Sequence, residues 1–200
     1  LKKAVSARKN YKKARALIYN QLENNPDADM KRSITQLLEK VDKQIAKLEA
    51  ACDAAIESDE RMRNLSRRFQ EVKCVGPCLA RDVLAYCPDI GEFNSKSIAK
   101  MCGDAPIDHE SCTIKKKAKP KRGRSDLKKA LYMAAVSGSR TNHILRGIYQ
   151  RLIANGKPRK VALTAVARHI AILLNYIAKY PDFKPAQDPK DIAKASKPKR

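Results

Sequence analysis

Ile34, Leu38, Val41, Ile45, Leu48, Cys52 and Ala55 recur at alternating four- and three-residue steps, which leaves little choice of fold for this part of the chain. The spacing draws one apolar stripe along a helix at coiled-coil period, a seam that must bury against another helix. The natural partner lies upstream. Residues 1 to about 24 hold no Gly or Pro and carry a weaker stripe of Ala4, Tyr11, Ala14 and Ile18. Lys2, Lys3, Arg8, Lys9, Lys12, Lys13 and Arg15 cover the rest. Asn24-Asn25-Pro26-Asp27 interrupts the two stretches, because proline lacks the N–H that a helix interior needs. The expectation is an antiparallel coiled-coil hairpin over residues 1–58, able to pair with a second subunit. A long helix packed on a globular body is the plainer alternative. The chain opens on Leu1 inside a helical pattern, which reads as a fragment whose front end lies elsewhere.

From about residue 59 the pattern changes to short helices and tight turns. Leu65, Phe69 and Val72 lead into Cys74-Val75-Gly76-Pro77, and Leu79, Ala80, Val83 and Leu84 continue in helical spacing. Pro88 to Asn94 forms a turn, and Asn94 or Ser95 can cap a short helix carrying Ile98, Ala99 and Met101. Residues 107 to 125 show no apolar period and read as a loop. Helices resume at Leu127, Ala130, Leu131 and Ala134, then at Leu145, Ile148, Tyr149 and Leu152, stopped by Asn155-Gly156. The last begins at Pro158 and runs through Leu163, Val166, Ile170, Leu173 and Ile177. The expected fold class is all-α, a helical coiled-coil hairpin followed by a small helical domain over 59–183. Residues 184–200, rich in Pro, Lys and Ala, read as a disordered basic tail.

Charge narrows the partners. The 200 residues hold 43 Lys and Arg against 21 Asp and Glu, a formal net charge of +22. Such a field attracts polyanions. No apolar run approaches the roughly 20 residues that span a bilayer, and no leader pattern opens the chain, so nucleic acid is the expected partner and no membrane. The six cysteines, Cys52, Cys74, Cys78, Cys87, Cys102 and Cys112, read as reduced thiols. Cys74 and Cys78 with His109 and Cys112 lack the spacing of a zinc ribbon, so no metal is assigned. His169 falls beside an apolar stripe as a structural residue, and His143 reads as a helix-start residue.

Two motifs bear on chemistry. Val72 to Ala80 resembles half of a helix-hairpin-helix element, in which a Gly-rich turn aims helix N-terminal N–H groups at a phosphate. Gly76 fits that role, but Cys74 stands where the first glycine is expected. Downstream, Lys115, Lys116, Lys117, Lys119, Lys121, Arg122 and Arg124 crowd one loop, with Lys128 and Lys129 just after it. Their density favours phosphate contact over a merely solvated loop. Ser111 sits immediately before this run, where cations would stabilise a pentavalent phosphorane. Ser125, Ser137 and Ser139 read as caps or packing residues.

The order of the pieces carries a resemblance. The hairpin leads to Cys74-Val75-Gly76-Pro77, then Cys102-Gly103-Asp104-Ala105-Pro106, Ser111 and the basic stretch. Gly123-Arg124 and Leu127-Lys128-Lys129-Ala130-Leu131-Tyr132-Met133-Ala134-Ala135 follow. Tyr149-Gln150-Arg151-Leu152, Gly156-Lys157-Pro158 and the run from Val161 to Arg168 close the series. From about residue 1 to 180, and most specifically from Leu127 to Arg168, the chain resembles the Piv/MooV-type insertion-sequence transposases, the bridge-RNA-guided recombinases. The resemblance implies a longer protein, with an N-terminal RuvC-like domain whose DEDD carboxylates bind Mg2+. It also implies a coiled coil that mediates homo-oligomer assembly and a helical transposase domain. In that domain the serine after the Ala-Pro segment, Ser111 by position, attacks a DNA phosphodiester. A structured guide RNA would pair with donor and target DNA, and the setting would be the bacterial cytoplasm, close to the nucleoid. Lys73-Cys74 replaces the usual Pro-Gly of the turn, and Cys112 replaces the Gly that usually follows the serine. Asp53, Asp59, Glu60 and Asp82 match no DEDD carboxylate, so no cofactor is assigned to this chain and the serine would be dormant in it alone. The alternative is a non-catalytic nucleic-acid-binding module, either a truncated transposase or a helix-hairpin-helix DNA-binding protein.

Overall fold

The fold is that of a computed structural model describing residues 1–24, 27–101, 109–111, 114–116 and 125–184, with only the backbone described at 101, 109–111, 114–116 and 125. The chain is all-α, and it divides into two units, Leu1–Arg63 and Asn64–Arg200.

The first unit is a helical hairpin of α1 (Lys2–Glu23) and α2 (Ala28–Glu57). Asp27 caps α2, its carboxylate accepting from the N–H of Met30 at 2.8 Å. The helices run antiparallel, as their cross-links show. Lys12 meets Glu49 at 2.9 Å, and Arg15 donates to Asp42 through Nε at 2.5 Å and Nη2 at 3.1 Å. The Arg15 hydrogen bond holds the Asp42 carboxyl below its usual range. All seven seam residues of α2 are buried or half-buried. The stripe on α1 lies differently. Tyr11 is exposed, whereas Val5 and Arg8 are buried, although Arg8 reads as part of the solvated face. Its stem lies in the interface and its guanidinium stands 3.8 Å from Glu49, so a long amphipathic side chain takes a place that periodicity reserves for an apolar one.

The second unit is built on α8 (Arg159–Lys179), whose Ala162, Val166, Ala167, Ile170, Leu173, Leu174 and Ile177 are all buried. By length and composition α8 could cross a membrane, yet over half of that window is buried inside the fold. It is a core helix. Against it pack α5 (Ser95–Met101), α6 (Ser125–Thr141) and α7 (His143–Ala154), and α4 (Pro77–Tyr86) packs on α6. Phe69 of α3 (Glu60–Gln70) is fully buried.

Local chemistry sets the boundaries of these elements. Asn94, not Ser95, caps α5, accepting from the N–H of Ser97 at 2.7 Å. Asn142 caps α7 with bonds from the N–H groups of Ile144 and Leu145 at 3.1 and 3.3 Å. The far end of α7 closes with Gly156 at φ +71°, where Lys157 N–H bonds Leu152 O and Gly156 N–H bonds Ile153 O. This double bond pattern needs a left-handed residue, and glycine accepts that conformation without a Cβ clash. Arg68 ties off α8: its Nη1 donates to Ile177 O at 2.6 Å, and its Nη2 to Tyr180 O and Phe183 O at 2.9 and 3.3 Å. A cation on the last carbonyls also complements the helix dipole.

Within the stretch 107–125, the described residues depart from a plain loop. β1 (His109–Ser111) and β2 (Ile114–Lys116) pair antiparallel, with His109 opposite Lys116, Glu110 opposite Lys115 and Ser111 opposite Ile114. Three-residue strands are too short to leave a period-two signal in the sequence.

Candidate nucleic-acid interface

Between α3 and α4 the chain turns over Val72 to Gly76. Val72 and Val75 are buried and anchor the turn, and the N–H of Val75 bonds Val72 O at 2.9 Å. A turn closed this way with positive φ at its third residue favours glycine there. Cys74 holds that position at φ +106°, the one non-glycine with positive φ among the described residues. The backbone therefore takes a conformation that favours glycine, even though a side chain stands at this position. Gly76 then caps α4 in extended conformation without a side-chain cap bond, and Pro77 takes the first helical turn. Nothing lies within 4 Å of where a Gly76 Cβ would be. Gly76 and Cys78 are exposed at the positive end of the α4 helix dipole, the kind of position that favours negative charge.

The Cys74 side chain is accommodated by a glycine on another helix. A Cβ placed on Gly138 of α6 would lie 2.7 Å from Leu145 Cδ1 and 3.0 Å from Cys74 Sγ. Gly138→Ala is expected to cost about 1–3 kcal/mol by overpacking, read as a lowered urea midpoint. In a Cys74→Gly background the cost should fall by about 1 kcal/mol, because the freed space accepts the methyl group. Strict additivity would show that the two positions are not coupled. The same contact affects reactivity. Burial pushes the Cys74 thiol up from 9.0 to about 11, whereas Cys78 is exposed. The neutral thiol is the form that the fold favours. Its contribution to stability is thus complete below the ordinary thiol pKa and lost as pH rises through 11. At pH 8, iodoacetamide should modify Cys78 well before Cys74, as tandem mass spectrometry would read.

Of the residues singled out on sequence grounds, Gly76, Lys128 and Lys129 lie in described structure, with Gly76 and Lys129 exposed and Lys128 half-buried. Ser111 is the last residue of β1, and Lys115 and Lys116 lie in β2. Lys117, Lys119, Lys121, Arg122 and Arg124 lie outside the described residues, as do Cys102, Cys112 and the tail from 185. His169 is buried, and His143 is the first residue of α7. Ser139 spends its hydroxyl on Val136 O at 2.9 Å, as a packing residue would. Among the described residues no three His, Cys, Asp or Glu side chains group to hold a metal ion.

Exposed cations continue beyond the basic loop. Arg140, Arg146, Arg151, Lys157, Arg159 and Lys160 are all exposed on or between α6, α7 and α8. The signal was present in the sequence as a missing residue type: from Leu127 to Pro181 there is no Asp or Glu.

No curated protein matches the chain. Residues 66–150, which take in the α3–α4 turn, Ser111 and the α6–α7 junction, match the model of the Transposase IS116/IS110/IS902 family, and that match supports an insertion-sequence transposase.

Proposed function

We propose that this chain is the DNA-engaging, serine-bearing part of an insertion-sequence transposase that works with a structured guide RNA. The observation that carries the reading is the family match over residues 66–150, because it spans the turn and the serine together. The exposed N-terminus of α4, with no side-chain cap bond from Gly76, and the large cationic excess support it from physics. In the proposed step, Ser111 Oγ attacks a DNA phosphorus. The Oγ–P bond forms and the P–O3′ bond breaks, leaving a 5′-phosphoserine link. The serine proton passes to the departing oxygen, which becomes a free 3′-hydroxyl for strand exchange. The cations from Lys115 to Lys129 neutralise the phosphate backbone around that point, in a bacterial cytoplasm, and the α1–α2 hairpin assembles copies of the chain. Over the strands that it pairs with, the RNA supplies sequence choice by base pairing.

The binding half is tested by salt dependence. Replacing Lys115, Lys117 and Lys121 with Gln should flatten the plot of log affinity for duplex DNA against log salt by about 0.9 per lost contact. An unchanged slope would make the loop a bystander. Strand cleavage by the full-length protein, supplied with its RNA and a terminal DNA, tests the other half through Ser111→Ala. Binding without any cleavage by the unmodified protein would favour the non-catalytic module.

A further inference from the structure

We propose that α7 is a DNA-reading helix that lies in the major groove of a B-form duplex, with Gln150 and Arg151 facing the base edges. The inference rests on the nucleic-acid reading above, and it adds a protein element that meets duplex DNA directly.

Three observations converge on α7. The first is its exposure pattern. His143, Arg146, Gly147, Gln150, Arg151 and Ala154 are exposed, and their spacing of three and four residues sets them on one helical face. Leu145 is buried and Ile148 and Leu152 are half-buried, so the opposite face is the one packed on α6 and α8. The outward face offers donors and acceptors between two small residues, with no carboxylate. Arginine pairs with guanine and glutamine with adenine across the major groove, and a small residue lets the helix backbone approach. Nothing lies within 4 Å of where a Gly147 Cβ would be.

The second is charge. The run from Leu127 to Pro181 carries ten Lys or Arg and no acid. In a chain with 21 Asp and Glu, three helices whose one acid is Asp126, at the start of α6, offer a surface matched to a polyanion.

The third is where the cations sit along the helix. Twelve residues give α7 a length of roughly 18 Å. A major groove is about 12 Å wide, so both ends of a helix lying across it reach the phosphate walls. Arg140 precedes one end, and Lys157, Arg159 and Lys160 follow the other. Arg146 is held at the first end by a hydrogen bond to Arg140 O. Arg159 and Lys160 open α8, whose first turn has no acid and no side-chain cap. Cations there oppose the helix dipole until an anion arrives. Double-stranded RNA fits poorly, because its major groove is too deep and narrow for a helix. The occupant is duplex DNA.

The test uses the full chain with a DNA duplex and an RNA duplex of the same sequence, read by fluorescence anisotropy. Gln150→Ala with Arg151→Ala should weaken DNA binding roughly tenfold, the loss expected of one or two base-edge contacts, and leave the RNA duplex unaffected. Methyl green, which occupies the major groove, should displace the chain, whereas the minor-groove ligand distamycin should not. Both residues are exposed, so an unchanged thermal midpoint is expected and would separate lost contact from lost fold. Equal losses on DNA and RNA, no loss on DNA, or displacement by distamycin alone would overturn the inference. An unmodified chain that bound no DNA would overturn the proposed function as well, so the two failures are distinguishable.

Discussion

Asn175→Ala is expected to destabilise the second unit by about 3 kcal/mol, a large share of the 5–15 kcal/mol typical of a folded domain. Asn175 is 1% exposed on α8, where an amide needs partners. It finds both in the turn before α5. Its Oδ1 accepts from the N–H of Gly91 at 2.9 Å, and its Nδ2 donates to Phe93 O at 2.7 Å. One side chain thus satisfies a donor and an acceptor of a segment more than eighty residues away in sequence. Truncation leaves both groups without that partner and opens a small cavity, and the costs act together. Asn175→Asp should be worse, since a carboxylate cannot donate to Phe93 O and would carry charge into the core. The turn has a second lock. Gly91 sits at φ +104°, and a Cβ there would lie 3.1 Å from the carbonyl carbon of Ala178. A urea midpoint shifted by the equivalent of less than about 0.5 kcal/mol in Asn175→Ala would refute this account of the turn.

The consequence reaches the proposed chemistry by way of the chain path. The turn held by Asn175 leads into α5, and α5 leads into the segment that bears Ser111. Loosening the turn should therefore raise hydrogen exchange in α5 before it disturbs α6 or α8.

How much of this was legible depended on the length of each signal. The α2 seam was readable because seven residues repeat over three turns of heptad, and each of them is buried or half-buried. The stop at Asn155-Gly156 was readable because glycine at a left-handed helix end has a specific chemical reason. Position 74 was half-readable: the motif pointed to a glycine conformation there, and the backbone adopts it with a cysteine. Gly138, which leaves room for the Cys74 side chain, lies on another helix and leaves no local trace. Asn175 and Arg68 were illegible for the same reason, since their partners lie 82 to 115 residues away. Arg8 was misplaced because charge alone does not say whether a long side chain snorkels or packs. The acid-free run from Leu127 to Pro181 was readable throughout, but only by noticing which residue type it lacks.

On the proposed function, Ser111→Ala is expected to have the largest functional effect, a complete loss of covalent linkage to DNA. A substitution that removes the attacking oxygen leaves nothing to form the Oγ–P bond, and neighbouring cations cannot replace a nucleophile. Binding should persist, because the proposed phosphate contacts lie on other residues. The most direct measurement is therefore the site of the adduct. The full-length protein is incubated with its RNA and a terminal DNA, the DNA is digested, and peptides are sequenced by mass spectrometry. The expected result is a nucleotide attached to Ser111, with unmodified Ser125, Ser137 and Ser139. An adduct on any other residue, or one that survives Ser111→Ala, would contradict the account.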